Sequence, residues 1–239
     1  MASYSEVRKD YAKLGKSKTY VPFDDSQWPS AHYEEALEVL RGLPKIQIKH
    51  GSDLKETNQT STQFQITEGD NDDNVILIGV QKNGWAMRKP VTILDLGGKE
   101  IVKVEFENKT GAGIFKSLVP PKRAMITLLT TGNPIGSVVT KSNWLTNDFE
   151  ICDEQGNVHF FIKSKEKIFS ASEYPVATQD GRLVGKIIRK GITGLDFTVE
   201  ASPQLAPIIK AIFLGFVMLL DIIMRSRNSL SHVQTVQMQ

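Results

Sequence analysis

Residues 208 to 224 of this 239-residue chain read IIKAIFLGFVMLLDIIM, an apolar run that begins directly after Pro207. A helix built from it is hydrophobic on every side, so it has no face to offer to water. It belongs either in the core of a domain or in a bilayer, and that choice limits everything else the chain can form. Length alone does not decide. The charge-free part, Ala211 to Leu220, makes a helix of about 15 Å at ~1.5 Å per residue. The hydrocarbon layer of a membrane is about 30 Å thick and asks for ~20 apolar residues. Ile208 to Met224 reaches about 25 Å, but only by including Lys210 and Asp221. An aspartate near the middle of a span costs ~3 kcal/mol, less near an end, whereas a lysine can snorkel.

Composition narrows the surroundings. Hydrophobic residues make up 40% of the chain and charged residues 23%, as in an ordinary globular protein. A net charge of +2 supplies no basic field, so a dedicated nucleic-acid binder is not expected. Cys152 is the single cysteine, which excludes an internal disulfide, gives no zinc site and suits a reducing, cytosolic-side location. The N-terminal stretch has no apolar core of a secretory signal, so the sequons at Asn58 and Asn108 carry no weight. Residues 1–31 are polar and basic and read as a disordered tail, with weak attraction to anionic lipid as the alternative. A single domain is expected over 32–226, with the apolar helix at 208–224, and a second tail over 227–239.

Within that domain His32 to Leu40 has helical spacing, and Gly42 can stop it. Short β-rich runs follow: 45–48, 62–66, 74–80, 91–94, 101–106, 125–129, 135–140, 148–151, 159–162, 168–171 and 184–188. Turn residues separate them, as in Asp95-Leu96-Gly97-Gly98 and Gln179-Asp180-Gly181, of the kind that closes tight hairpins. Eleven or twelve strands joined mainly by hairpins predict an antiparallel barrel or sandwich. A closed sheet of that size encloses more space than its own side chains fill. The C-terminal apolar segment is the one candidate to fill it, so the strand count favours a core helix.

Residues arranged for catalysis are scarce. The four histidines, His32, His50, His159 and His232, are scattered and none has the spacing of a metal pair. Gly181 to Ile187 looks briefly like a phosphate loop, but it has three residues between its glycines and Ile187 where a magnesium-binding hydroxyl would stand. It reads as a hairpin turn running into a strand. Asp196 and Glu200 flank Phe197-Thr198-Val199 just before the apolar helix. Two acids fall short of the six to eight oxygens a calcium ion takes. No nucleophile with a neighbouring base is visible, and an enzyme is not expected.

The order of these segments resembles the phospholipid scramblase family over roughly residues 32 to 225. The likeness is carried by His32 to Leu54, Val91 to Glu105, Asn133 to Val138 followed by Trp144, and Phe149-Glu150-Ile151 with Gly156. It is best at the end, in Val184-Gly185-Lys186-Ile187, Thr193-Gly194, Asp196-Phe197 and the helix through Leu219-Leu220-Asp221. The resemblance implies a tubby-like fold, a closed twelve-stranded antiparallel barrel around a central C-terminal hydrophobic helix. It implies calcium-stimulated, bidirectional movement of phospholipids between leaflets at the cytoplasmic face of the plasma membrane. Membrane phospholipids are the implied partners, with protein contacts or self-association besides.

Three departures stand out. Residues 1–31 contain only Pro22 and Pro29 in place of a proline-rich segment, and Lys109 to Arg123 has no cysteine cluster for palmitoylation. The acidic calcium segment is shortened, leaving Asp196 and Glu200 as candidate calcium ligands. Ile208, Lys210, Phe213, Phe216, Leu220 and Asp221 mark the helix that either spans the bilayer once or fills the barrel. Lys210 and Asp221 project from nearly the same side, being about three turns apart. Associated helices would line a polar path with them; otherwise each meets water at one barrel mouth. The alternative function is a soluble or peripheral module that binds lipid headgroups or proteins.

Overall fold

The computed structural model describes residues 20–24, 26, 28, 35–50, 61–69, 74–82, 89–107, 121–141, 147–164, 173–190 and 196–236, with the side chains of the last helix described as far as Arg225. Twelve strands form one closed antiparallel barrel. They are β1 (Lys45–His50), β2 (Ser61–Glu68), β3 (Val75–Lys82), β4 (Val91–Leu94), β5 (Glu100–Glu107), β6 (Arg123–Leu128), β7 (Asn133–Thr140), β8 (Asn147–Cys152), β9 (Val158–Ser164), β10 (Glu173–Thr178), β11 (Leu183–Lys190) and β12 (Asp196–Ala201). Each strand pairs with the next in sequence, and β1 closes the ring on β12 with Ile46 opposite Val199 and Ile48 opposite Phe197. Alternation sets the two faces. Val91, Ile93, Val102, Val104, Ala124 and Ile126 point inward and are buried.

One α-helix is found among the described residues, α1 (Pro207–Val236), and it runs through the middle. From Pro207 to Arg225 it is long and apolar enough to cross a membrane, and that whole stretch is enclosed by the barrel. Phe216 packs edge-on against Phe149 and Tyr174, with ring centroids 4.8 and 6.0 Å apart, and Phe213 meets Phe160 at 6.1 Å. Ile208, Phe213, Phe216 and Leu220 are all buried. Gly215 lets the helix lie against the wall: a Cβ there would stand 2.5 Å from Ile126 Cγ1. The apolar segment is therefore the core of the barrel, as the strand count required.

Ten of the eleven expected β-runs fall in strands. The eleventh, 168–171, lies outside the described residues, and the strand found in that region is β10, where Pro175 stands. Pro175 stands opposite Lys186 of β11, but the pairing of β10 with β9 starts only at Val176, so its missing N–H breaks no ladder bond on the β9 side. β12 was not anticipated as a full strand. Gly181, with φ of 84°, closes the β10–β11 hairpin, and its N–H donates to Thr178 O at 3.0 Å; the segment is a turn and not a phosphate loop.

Both expected tails need correction where they are described. The sequence predicts a free tail over 1–31, yet Val21 N donates to Leu183 O at 2.9 Å, and Phe23 and Trp28 are buried. The reason is aromatic area: Phe23 packs on Phe160 and Trp28 on His159, with centroids 4.7 and 4.8 Å apart. At the other terminus α1 does not stop near residue 224 but continues to Val236. The expected helix from His32 is a 3-10 helix over Glu35–Leu40, with Leu37 and Leu40 buried.

Candidate functional site

The barrel has two mouths, and the buried ionisable side chains Lys210, Asp153 and Asp221 lie at them. α1 enters at the mouth formed by the start of β1 and the end of β12. There the Lys210 ammonium, fully buried, donates to Leu40 O at 3.1 Å and to Pro203 O at 3.4 Å. The 3-10 helix and the β12–α1 link thus cap the entry mouth with carbonyls aimed at a charge. Trp28 closes the same mouth and donates its indole N–H to Ile135 O at 3.1 Å. In the adjoining β8–β9 turn the buried Asp153 accepts from Gln155 N, Asn157 N, Asn157 Nδ2 and His159 Nε2 at 2.8–2.9 Å. Burial pushes the Asp153 carboxyl up, but the bonds from His159 and Asn157 outweigh it and hold its pKa below the ordinary value. Asp153 and His159 meet only as a turn anchor: both Asp153 oxygens are occupied by their own hairpin.

At the exit mouth the polar groups come from β1, β3, β11 and α1. Alternation that buries Ile46 and Ile48 also turns His50 inward, edge-on to Phe64 at 5.0 Å. Gln81 donates Nε2 to Lys89 O at 2.7 Å and accepts from Arg225 Nη2 at 2.8 Å. Arg189 Nη1 reaches Met224 Sδ at 3.7 Å. Asp221 is 1% exposed; Arg225 Nη2 lies 2.5 Å from its Oδ2, an ion-pair contact, yet neither carboxylate oxygen has a hydrogen bond of good geometry. His50 Nε2 is likewise buried with no hydrogen-bond partner. Burial raises the Asp221 pKa against the pull of Arg225 and His50. It lowers that of His50 against the pull of Asp221.

Lys210 and Asp221 do share one side of α1, but the barrel separates them by ~16 Å along the helix axis and buries each among protein groups instead of water. Asp196 and Glu200 are not brought together either. They sit at opposite ends of β12, about 13 Å apart at ~3.3 Å per residue. Asp196 Oδ1 accepts from His50 N at 3.2 Å, whereas Glu200 Oε2 accepts from Tyr20 O–H at 2.7 Å and faces Lys186 Nζ at 3.9 Å. Burial, then the Glu200 contact, drive the Tyr20 phenol well above its ordinary pKa. Among the described residues no three His, Cys, Asp or Glu side chains gather as a metal site would need. The cysteine-free stretch from Lys109 falls mostly outside the described residues.

The model of the family described as Scramblase matches residues 82–227, from the end of β3 through the enclosed part of α1. The chain belongs to the Scramblase family. This Scramblase-family chain is also similar to a protein from Arabidopsis thaliana solved by X-ray crystallography. They are 13% identical, the match covers 78% of this chain and 96% of the other, and the TM-score is 0.48. No curated protein sequence matches it.

The sequence reading missed His50, Gln81, Arg189 and Arg225. Arg225 was within reach, since it stands four residues after Asp221, the spacing of a helical ion pair. His50 continues the Ile46, Ile48 alternation and could have been assigned an inward position. Gln81 and Arg189 carry no such mark.

Proposed function

We propose that this Scramblase-family chain works at a phospholipid surface, on the cytoplasmic face of the plasma membrane, as a peripheral barrel that binds lipid headgroups while α1 stays inside. The observation that supports this is the enclosure of α1: every residue from Ile208 to Met224 is buried within its own barrel. Drawing that helix into a bilayer would leave the inner wall facing water, at ~1.5–3 kcal/mol for each large apolar side chain exposed. Calcium has no direct role in this reading, because Asp196 and Glu200 are held apart by the length of β12.

Family membership favours a second reading, transbilayer movement of phospholipids by the protein itself. A headgroup must then cross ~30 Å of hydrocarbon through a polar groove, and α1 offers only Lys210 and Asp221, both committed inside the barrel. Two measurements separate the readings. On carbonate extraction the peripheral barrel is released from membranes, and purified protein in liposomes leaves leaflet exchange at the rate of empty liposomes. Retention in the pellet together with accelerated exchange would overturn the peripheral reading. In that case Lys210→Leu with Asp221→Leu must abolish exchange if those residues line the path.

A further inference from the structure

The two rims of the barrel carry opposite charge. Within two residues of the strand ends at the exit mouth, the described residues include nine lysines and arginines against five acids. The same count at the entry mouth finds three basic residues against seven acids, leaving out Glu150, whose carboxylate lies against Lys141 of the exit rim. Part of the basic rim is internally neutralised: Lys141 Nζ lies 2.9 Å from Glu150 Oε2 and Arg123 Nη1 lies 3.7 Å from Glu107 Oε1. Lys82, Lys122 and Lys190 are exposed, and none of them forms an ion pair with another described residue. α1 adds Arg225 at this mouth, and residues 226–239 contain no acid at all.

From these charges we infer that the exit rim is the face that docks on an anionic phospholipid bilayer, with the barrel axis steep to the membrane and the acidic entry rim turned away. The inference rests on the peripheral reading above and gives it an address. Apart from the four-residue β4, strands of six to eight residues at ~3.3 Å per residue and a tilt of about 40° separate the rims by roughly 15–20 Å along the barrel axis. That is about two screening lengths of ~8 Å at physiological salt. A membrane at the basic rim therefore attracts it without feeling the repulsion of the acidic one. The chain's small net charge hides this, because the two ends cancel. A bilayer is favoured over a nucleic acid because the positive charge forms a ring around a mouth, a footprint for a broad planar surface, and is not aligned along a groove or helix.

Flotation of the full-length protein with phosphatidylcholine vesicles containing phosphatidylserine tests it. Binding is expected to these vesicles, to weaken as salt rises, and to be absent on pure phosphatidylcholine. A basic residue near such a surface is worth about fivefold in partitioning, so Lys82→Gln with Lys122→Gln and Lys190→Gln should lower it about a hundredfold. Lys45→Gln with Lys99→Gln and Arg182→Gln, at the entry rim, should leave it within about twofold. All six side chains lie on the outside of the barrel or in turns, and circular dichroism checks that both variants stay folded. Equal losses in the two variants, or none in the first, overturn the inference while leaving the peripheral reading standing. Failure of the unmodified protein to bind at low salt overturns both. Tighter binding to single-stranded nucleic acid than to the vesicles assigns the rim to that partner and overturns the membrane assignment.

Discussion

Where α1 enters the barrel, the charges that burial has trapped are hydrogen-bonded: Lys210 to two carbonyls, Asp153 to its own turn and His159. Where it leaves, Asp221 and His50 keep buried atoms with no hydrogen bond. The entry mouth is also stoppered by Trp28, Leu37 and Leu40, whereas the exit mouth is filled by polar chains from four elements. Unmade hydrogen bonds in a low-dielectric place cost ~1–3 kcal/mol each, so the exit end gives up stability at Asp221 and His50, while the entry end leaves unbonded the Thr67 hydroxyl and one oxygen of the half-exposed Glu38. One end of this barrel is built to stay shut; the other is the end at which the core helix emerges.

Breaking the entry end should give the largest effect. Trp28→Ala removes a buried ring and its bond to Ile135, and is expected to cost ~3–5 kcal/mol, read as a lower midpoint in urea unfolding. A midpoint unchanged from the parent would mean that residues 20–28 are not part of the stopper. Next comes the passage between the mouths. Gly215→Ala sets a methyl 2.5 Å from Ile126 and should cost ~1–3 kcal/mol by overpacking. Gly215→Ala combined with Ile126→Val should recover part of that loss if the contact is the cause.

The smallest effects, and the sharpest, belong to the exit end and depend on pH. The folded Asp221 pKa is raised, so its stabilising contribution is full below the unfolded value of 3.8 and is lost as pH rises through the folded one. Asp221→Asn should therefore raise the Tm at pH 8, and the advantage should shrink on acidification. His50 has the opposite sign. Its folded pKa is lowered, so its contribution is present above 6.5 and is lost as pH falls through the folded value. His50→Gln should blunt the loss of Tm below pH 6.5, and equal acid sensitivity in parent and variant would remove His50 from the account.

How much of this could be read beforehand follows from where each residue stands. The strands that alternate cleanly, such as β6 with Ala124, Ile126 and Leu128 inward, were legible because one face is wet and the other dry. β10 was not, because Pro175 argues against a strand unless the unpaired ladder position is known. β12 was obscured by the carboxylates at its two ends. The dry helix was legible in composition and ambiguous in place until the strands around it were counted. Phe23 and Trp28 gave no periodic pattern; isolated aromatics in a polar stretch disclose their burial only through the partners they meet. The exit cluster is assembled from residues more than a hundred positions apart, such as Gln81 and Arg225, and no local spacing encodes it.

The order of the chain has a consequence for its synthesis. All twelve strands precede the helix they surround, so a ribosome completes β12 before the core exists. Until Pro207 and the residues after it emerge, Phe149, Phe160 and Tyr174 have no α1 to pack on, and the closing pair of β1 with β12 joins segments some 150 residues apart. Non-local pairing of this kind is slow, and half-made barrels expose apolar edges to neighbours. The nascent chain must therefore wait, shielded, for its last segment, and truncations that remove α1 should yield an insoluble sheet and not a smaller barrel.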